Sequence, residues 1–394
     1  MPKEALPSKV KLSSIISFGH AVNDLYSNSI PGLLPLITSL FGLSYFLAGA
    51  VATVFNMTSS ILQPLFGHWF DRTHTGWLLE AGLAVNCLGM SLLGFSTGYV
   101  MLLFLVGTAG LGSAAFHPPA FSSIVHSSKS SKGKSMGFFL SGGNTGFFLG
   151  PFVAGALGSA FGLNGMLWLL PVGILVSLAI FTFSRRDIVE THHVDVVHRS
   201  ANKRLVGLLA TITILRSVAV QTSVTFLPLY FVAKGASLLI ATAIASVWLG
   251  VGVIGQLLGG WVSDRIGGVP VIVASLLAGS LLFYGFLLTT GPVSILLLAL
   301  SGAALYANWS VIVVMASEAA PSNVGAVSGL MLGFSIGVGG IAALGFGAVA
   351  DALGMTAAFL VITAFALAAG VVALLLSRFR TTRAKPTMMA TYPT

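Results

Sequence analysis

Twelve runs of mostly apolar residues, each about as long as a bilayer is thick, dominate this chain of 394 residues. They cover approximately 13–40, 44–69, 76–96, 98–124, 136–158, 163–183, 204–232, 237–262, 269–290, 292–316, 325–349 and 353–377. A spanning helix needs roughly 20 such residues. Only 7% of the chain is charged and 56% is hydrophobic, whereas soluble domains are about 25% charged. Water cannot be the solvent for this much apolar surface. The fold class expected is an all-α integral membrane protein with twelve transmembrane helices, numbered here 1 to 12. Glycine and proline punctuate several of them, which neighbouring helices can accommodate.

The formal net charge is +9, but the basic residues sit in short segments between apolar runs. That pattern orients a membrane protein and does not suggest a nucleic-acid partner. With both termini in the cytoplasm, seventeen Lys and Arg residues fall inside and only Lys234 falls outside; Arg216 lies within helix 7. The expected location is the cytoplasmic (inner) membrane. The basic N-terminus reads as a lead-in to helix 1 and not as a signal peptide, because the apolar run after it is too long and too polar. Cys87 is the single cysteine, so no intrachain disulfide can form.

The segment SRRDIVETHHVDVVHRSANKR separates helices 6 and 7. It divides the chain into 1–183, a six-helix bundle; 184–203, a cytoplasmic linker; and 204–394, a second bundle with a short cytoplasmic tail. His192, His193 and His198 lie in the linker, but nothing completes a familiar ligand spacing, so no metal ion or cofactor is expected. The bundles are internal repeats. Gly67 and Gly260, Asp71 and Asp264, and Pro35 and Pro228 are each 193 residues apart, and GKSMG at 133–137 matches GAVSG at 325–329 at 192. Two six-helix units of like topology imply a parallel pseudo-symmetric repeat, the plan of major facilitator transporters.

GHWFDR and GGWVSDR end helices 2 and 8. Their Gly-x-x-x-Asp-Arg core resembles that superfamily's cytoplasmic loop signature. The resemblance implies a conformational latch of Gly67, Asp71, Arg72, Gly260, Asp264 and Arg265, with the aspartates near facing helix N-termini. Helix 5 carries GFFLSGGNTGFFLGPFVAG. Gly137, Gly146, Gly150, Pro151 and Gly155 match the antiporter signature of proton-driven exporters, with Ala154 at one glycine position. Such glycines let a facing helix approach closely, and Pro151 bends the helix. The equivalent helix 11 has Gly325, Gly329, Gly333 and Gly337, one per turn. In helix 4, Pro118 and Pro119 are expected to break or kink the helix beside His117. That histidine satisfies freed carbonyls or meets a substrate or proton.

Together, GHAVNDLYSNSIPGLLP, SSILQPLFGHWFD, GLGSAAFHP, SGGNTGFFLGP and EAAPSNVGAVSGLMLGFSIGVGG resemble the fosmidomycin-resistance family of major facilitator exporters. The resemblance touches helices 1, 2, 4, 5 and 11. It implies drug or metabolite efflux, and hence antibiotic resistance, driven by the proton gradient.

On helix 1, His20, Asn23, Asp24, Ser27 and Pro31 form one stripe. A polar stripe in lipid must face the bundle interior or water. Asp24 lies about 11 residues, roughly 16 Å, along its helix, near the depth where such transporters hold substrate. Arg216 lies at similar depth in helix 7. Asp24, His20 and Arg216 are the expected proton-coupling residues; the alternative is a static Asp24–Arg216 pair. The expected substrate cavity takes Asn23, Asp24, Ser27, Asn56, Gln63, His117, Asn144, Arg216, Tyr306 and Asn308. The leading function is export of a small molecule by proton antiport with alternating access, by a monomer whose partners are substrate, protons and lipid. Proton-coupled or facilitated uptake is the alternative, and a non-transporting receptor a remote one. No catalytic triad or metal cluster suggests an enzyme. The substrate's charge stays open: Asp24 suits a cation, while Arg216, His20 and His117 suit an anion.

Overall fold

The computed structural model describes residues 6–73, 77–127, 132–184 and 201–379. They are helical nearly throughout. Ten stretches are long and apolar enough to cross a membrane. One of these, residues 135–183, holds both helix 5 and helix 6. Helix 1 completes the twelve; its polar stripe and a break at Asn28 shorten its apolar run. The 184–203 linker, with His192, His193 and His198, lies almost wholly outside the described residues, as does the tail beyond residue 379.

Several boundaries differ from expectation for local reasons. Helix 1 starts at Leu6 and runs as Leu6–Ser27 and Ser29–Phe41. Pro31 cannot donate to the Ser27 carbonyl of the turn before it, and the Asn28 backbone amide and side chain both donate to the Asp24 carbonyl (2.9 Å each). Helix 2 divides into Tyr45–Ile61 and Gln63–Thr73, with Pro64 in the first turn of the second piece. Helix 4, in contrast, runs unbroken from Tyr99 to Ser127 through Pro118 and Pro119, so the expected break does not occur. Helix 10 divides at Asn308 into Gly291–Ala307 and Trp309–Ala319. Helix 11 loosens into a π turn over Phe334–Val338.

The repeat reaches down to single turns. Gly42 and Gly235, again 193 residues apart, both take the positive φ (60° and 91°) that only glycine adopts freely. Two residues later, Ser44 and Ser237 cap helices 2 and 8, accepting from the amides of Leu47 and Ile240.

Helix 1 packs against helices 4, 5 and 6, and helix 7 against helices 10, 11 and 12. Between these groups, helix 2 packs on helix 11 and helix 5 on helix 8, with helix 1 against helix 7. Close approach concentrates at the end away from Gly67 and Gly260. There, between the two groups, a Cβ on Gly49 would strike the Ala343 carbonyl and one on Gly347 the Tyr45 carbonyl. At the opposite end, Gly137, Gly329 and Gly333 have nothing within 4 Å of an added Cβ. The bundle is closed at one end and open at the other.

Candidate functional site

The polar stripe of helix 1 turns inward, as a stripe in lipid must. Asn23 is fully buried, and His20 is 7% exposed. Asp24 sits between two imidazoles. His20 Nε2 lies 3.3 Å from Asp24 Oδ2, and His117 Nε2 of helix 4 lies 3.3 Å from Oδ1. Each imidazole is held from behind by its other nitrogen. His20 Nδ1 is 2.9 Å from the Phe139 carbonyl of helix 5, and His117 Nδ1 is 2.8 Å from the Ser113 carbonyl. A carbonyl oxygen only accepts, so Nδ1 carries the hydrogen in both rings. The carbonyl that His117 meets is not one freed by Pro118 or Pro119, which would be those of Ala114 and Ala115. His20 also stacks on Phe139 at 4.1 Å between centroids and meets the edge of His117 at 5.4 Å.

A second layer holds this cluster. Asn23 Nδ2 donates to Asp24 Oδ1 (3.1 Å) and to Ser113 Oγ (3.2 Å). Asn86 of helix 3 donates to the Asn23 side-chain oxygen (2.9 Å), its carbonyl (3.1 Å) and Ser27 Oγ (3.1 Å). Asn86, Ser113 and Phe139 were not among the expected site residues. Asn86 had a sequence signal, an amide inside an apolar helix. Ser113 and the carbonyl of Phe139 had none.

Arg216 does not meet Asp24. It is 2% exposed, its Nε donates to the Leu305 carbonyl (3.0 Å), and its guanidinium faces the rings of Trp309 (5.2 Å) and Tyr306 (5.5 Å). Among the described residues no carboxylate lies within 4 Å of it. The static Asp24–Arg216 pair is therefore absent from this structure, because helix 4 supplies Asp24 with nearer partners. The Tyr306 hydroxyl is buried without a hydrogen-bond partner.

A small cavity of about 40 Å³ opens between helices 1, 2 and 7, lined in part by Ser27, Asn28, Pro31, Asn56, Gln221 and Thr225. Ser27 joins it to the cluster. Gln63 and Asn144 are half-buried and lie outside that lining. Asn308 is not a cavity residue: it is fully buried and ties the break in helix 10 to Ser275 Oγ (3.1 Å) and the Leu305 carbonyl (3.1 Å).

The helix-5 glycines behave as close-approach positions. A Cβ on Gly146 would strike the Ala21 carbonyl, one on Gly150 the Leu25 carbonyl, and one on Gly155 the Thr242 side chain of helix 8. Gly142 and Gly143 join them, against the Ser17 carbonyl and the His20 ring, while Gly137 faces open space. The glycines of helix 11 behave differently. Gly329, Gly333 and Gly337 have no neighbour within reach, and Gly339, Gly340 and Gly347 make the close contacts instead. At the open end, Arg72, Asp264 and Arg265 are exposed, and Arg265 lies over the Trp261 ring of its own helix at 3.3 Å. The Asp71 side chain falls outside the described residues.

A twelve-helix bundle with a carboxylate–imidazole cluster inside it narrows the family, and the family model for the Major Facilitator Superfamily matches residues 16–344 and 209–390. The chain belongs to the Major Facilitator Superfamily. It is a membrane transporter and not an enzyme. This superfamily member is 28% identical over 350 residues to the fosmidomycin resistance protein of Escherichia coli (strain K12), covering 85% of each chain. It is 31% identical over 384 residues to the uncharacterized MFS-type transporter YfnC of Bacillus subtilis (strain 168), covering 92% of this chain and 91% of the relative. Among solved structures it resembles a bacterial homologue of the human lysosomal transporter Spinster in an inward-facing, occupied conformation. The TM-score is 0.84 at 16% identity, over 94% of this chain and 97% of that one. The nucleoside transporter NupG matches with a TM-score of 0.71 at 15% identity, over 95% and 100%. At these identities the likeness is one of fold.

Proposed function

We propose that this transporter exports a small molecule across the cytoplasmic membrane in exchange for protons, by alternating access, with Asp24 as the fixed charge that the coupling cation answers. The observation that carries this reading is the junction of helices 1 and 5. The helix that bears the antiporter pattern is seated on helix 1 through Gly142, Gly146 and Gly150, and its Phe139 carbonyl orients His20 against Asp24. A change in how helix 5 meets helix 1 therefore changes the surroundings of the Asp24–imidazole cluster. Transport couples to a cation when the two conformations hold it differently. The Escherichia coli relative is a fosmidomycin resistance protein, which supports export. The charge bias of the loops supports a cytoplasmic side for both termini and the 184–203 linker, and in this reading the open end of the bundle faces inward. The chain works as a monomer in this reading.

Proton-coupled uptake would use the same cluster in the opposite direction. Reconstituted vesicles decide between the two. With an imposed proton gradient, purified protein should concentrate substrate on the acidic side, and Asp24→Asn should not. Accumulation on the alkaline side would replace export with symport. Candidate substrates come from a growth-inhibition panel, run with and without expression, that includes cationic and anionic compounds.

A further inference from the structure

We propose that His20, Asp24 and His117 form a binding site for one divalent transition-metal ion, of the Zn²⁺ class, that joins helix 1 to helix 4. The inference goes beyond the transport reading and does not depend on the direction of transport.

Tautomer geometry comes first. Both imidazoles give their Nδ1 hydrogen to a backbone carbonyl, of Phe139 and of Ser113. In a neutral ring Nε2 then carries a bare lone pair. Both lone pairs point at the two oxygens of one carboxylate. Lone pair facing lone pair is repulsive unless a cation lies between them, either a second ring proton, which makes Nε2 a donor to the carboxylate, or a metal ion. This outer bonding, one nitrogen to a carbonyl and the other inward, is how metal-ligating histidines are oriented.

Distance discriminates further. A charge-assisted N–H···O contact closes to about 2.7–2.9 Å. Both contacts here are 3.3 Å. Zinc bonds of about 2.0–2.1 Å in a tetrahedron set ligand atoms about 3.3–3.4 Å apart. Each imidazole already stands at that spacing from one oxygen of Asp24, His20 from Oδ2 and His117 from Oδ1, and one ligand atom from each of the three residues lies within 4.8 Å of the others. His117, the more exposed ring, is the one free to close the set. Two imidazoles and one carboxylate suit Zn²⁺ and its neighbours and not Mg²⁺ or Ca²⁺, which want oxygen.

The surroundings fit an ion that is held firmly yet reached from the cavity. Phe139 stacks on His20 and Phe116 lies beside it at 6.3 Å between centroids, which keeps water from that side. Asp24 and His117 keep 19% and 28% of their side-chain surface exposed, so a fourth position opens on the other. Sequence spacing hid the set, because 93 residues separate Asp24 from His117.

The test uses the full chain in detergent, without an affinity tag of histidines, and with His192→Gln, His193→Gln and His198→Gln to remove linker ligands. Calorimetric titration with ZnCl2 should show one saturable site. His117→Gln or His20→Gln should weaken it at least about tenfold, since even outer-shell changes cost 10–100-fold. MgCl2 should give no binding. Co²⁺ added to the same chain with its three ligands intact should develop the visible ligand-field bands of a four-coordinate site, a readout that needs no ligand variant to fold. No saturable Zn²⁺ binding, or binding unchanged in folded His20→Gln and His117→Gln, overturns the site. Because metal binding is measured without transport, its failure is separable from failure of the export reading.

Discussion

Helices 1 and 7 are repeat partners built to one plan and used for different chemistry. A shift of 193 residues superposes Pro35 on Pro228 and Gly42 on Gly235. The same shift sets Ser217 opposite Asp24, Arg216 opposite Asn23, and Thr213 opposite His20. Helix 1 therefore carries a carboxylate gripped by two imidazoles. Helix 7 carries a guanidinium that leans on two aromatic rings and one carbonyl. The scaffold repeats because turns and crossings have few solutions. The site does not repeat, because a transporter with one substrate needs one set of contacts. We read the division of labour as coupling on helix 1 and substrate orientation on helix 7.

The same contrast separates helices 5 and 11. Helix 5 seats a row of glycines on helix 1, whereas the evenly spaced glycines of helix 11 meet nothing and the helix loosens into a π turn beside them. Such turns often accompany functional sites. At the closed end, helix 11 holds helix 2 by a device that helix 5 lacks. Asp351 accepts from the amides of Tyr45 (2.8 Å) and Phe46 (2.9 Å), capping the first turn of helix 2. Its repeat counterpart, Ser159, bonds only within its own helix, to the Gly155 carbonyl (2.7 Å).

The largest expected effect is that of Asp24→Asn. It removes the charge that both imidazoles address, and gradient-driven accumulation in vesicles should fall by at least about a hundredfold, the loss of a charged buried partner being worth about 3 kcal/mol. If the variant still concentrates substrate, helix 1 holds structure and not coupling.

Gly146→Leu comes next. Its side chain has to displace the Ala21 carbonyl, backbone that cannot swing away. Overpacking of this kind costs about 1–3 kcal/mol, read as a lower unfolding temperature in detergent. Gly333→Ala is the matched change on helix 11 and meets open space. It should leave the unfolding temperature within a degree or so, or raise it slightly, since alanine favours helix by about 1 kcal/mol over glycine. Equal losses at both positions would erase the difference between the two helices.

Arg216→Lys keeps the charge but loses the planar group that spans two rings and the Leu305 carbonyl. Transport should drop about tenfold, the equivalent of about 1.4 kcal/mol, with its dependence on the proton gradient intact. A variant that transports at full rate but ignores the gradient would move coupling to helix 7.

The smallest effect belongs to Asp351→Asn. Loss of the cap's negative charge should weaken the closed end by about 0.3–1 kcal/mol. A cysteine placed at Ser44 in a Cys87→Ala background should then label faster with an impermeant reagent. Unchanged labelling would show that glycine packing alone keeps that end shut.

Much of this was legible in the chain. Lipid demands about 20 apolar residues per crossing, so the twelve helices can be counted from composition. Turn chemistry requires glycine at positive φ, so the repeat shows at Gly42 and Gly235. A polar stripe cannot face lipid, so His20, Asn23, Asp24 and Ser27 had to point inward. These are local constraints, and each acts within a turn or two. What they leave open is which partner waits inside. Helices in lipid have no hydrophobic drive to choose among neighbours; they choose by close packing and by interhelical hydrogen bonds. Those depend on atoms far apart in sequence. Only the folded bundle brings His117 and the Phe139 carbonyl to Asp24 and leaves Arg216 to the rings. Only the bundle breaks helix 10 at Asn308 while helix 4 continues as one helix past two prolines. The glycine rows make the same point: identical spacing in helices 5 and 11 could not tell which row would meet a neighbour, because spacing defines a face and packing decides what that face touches.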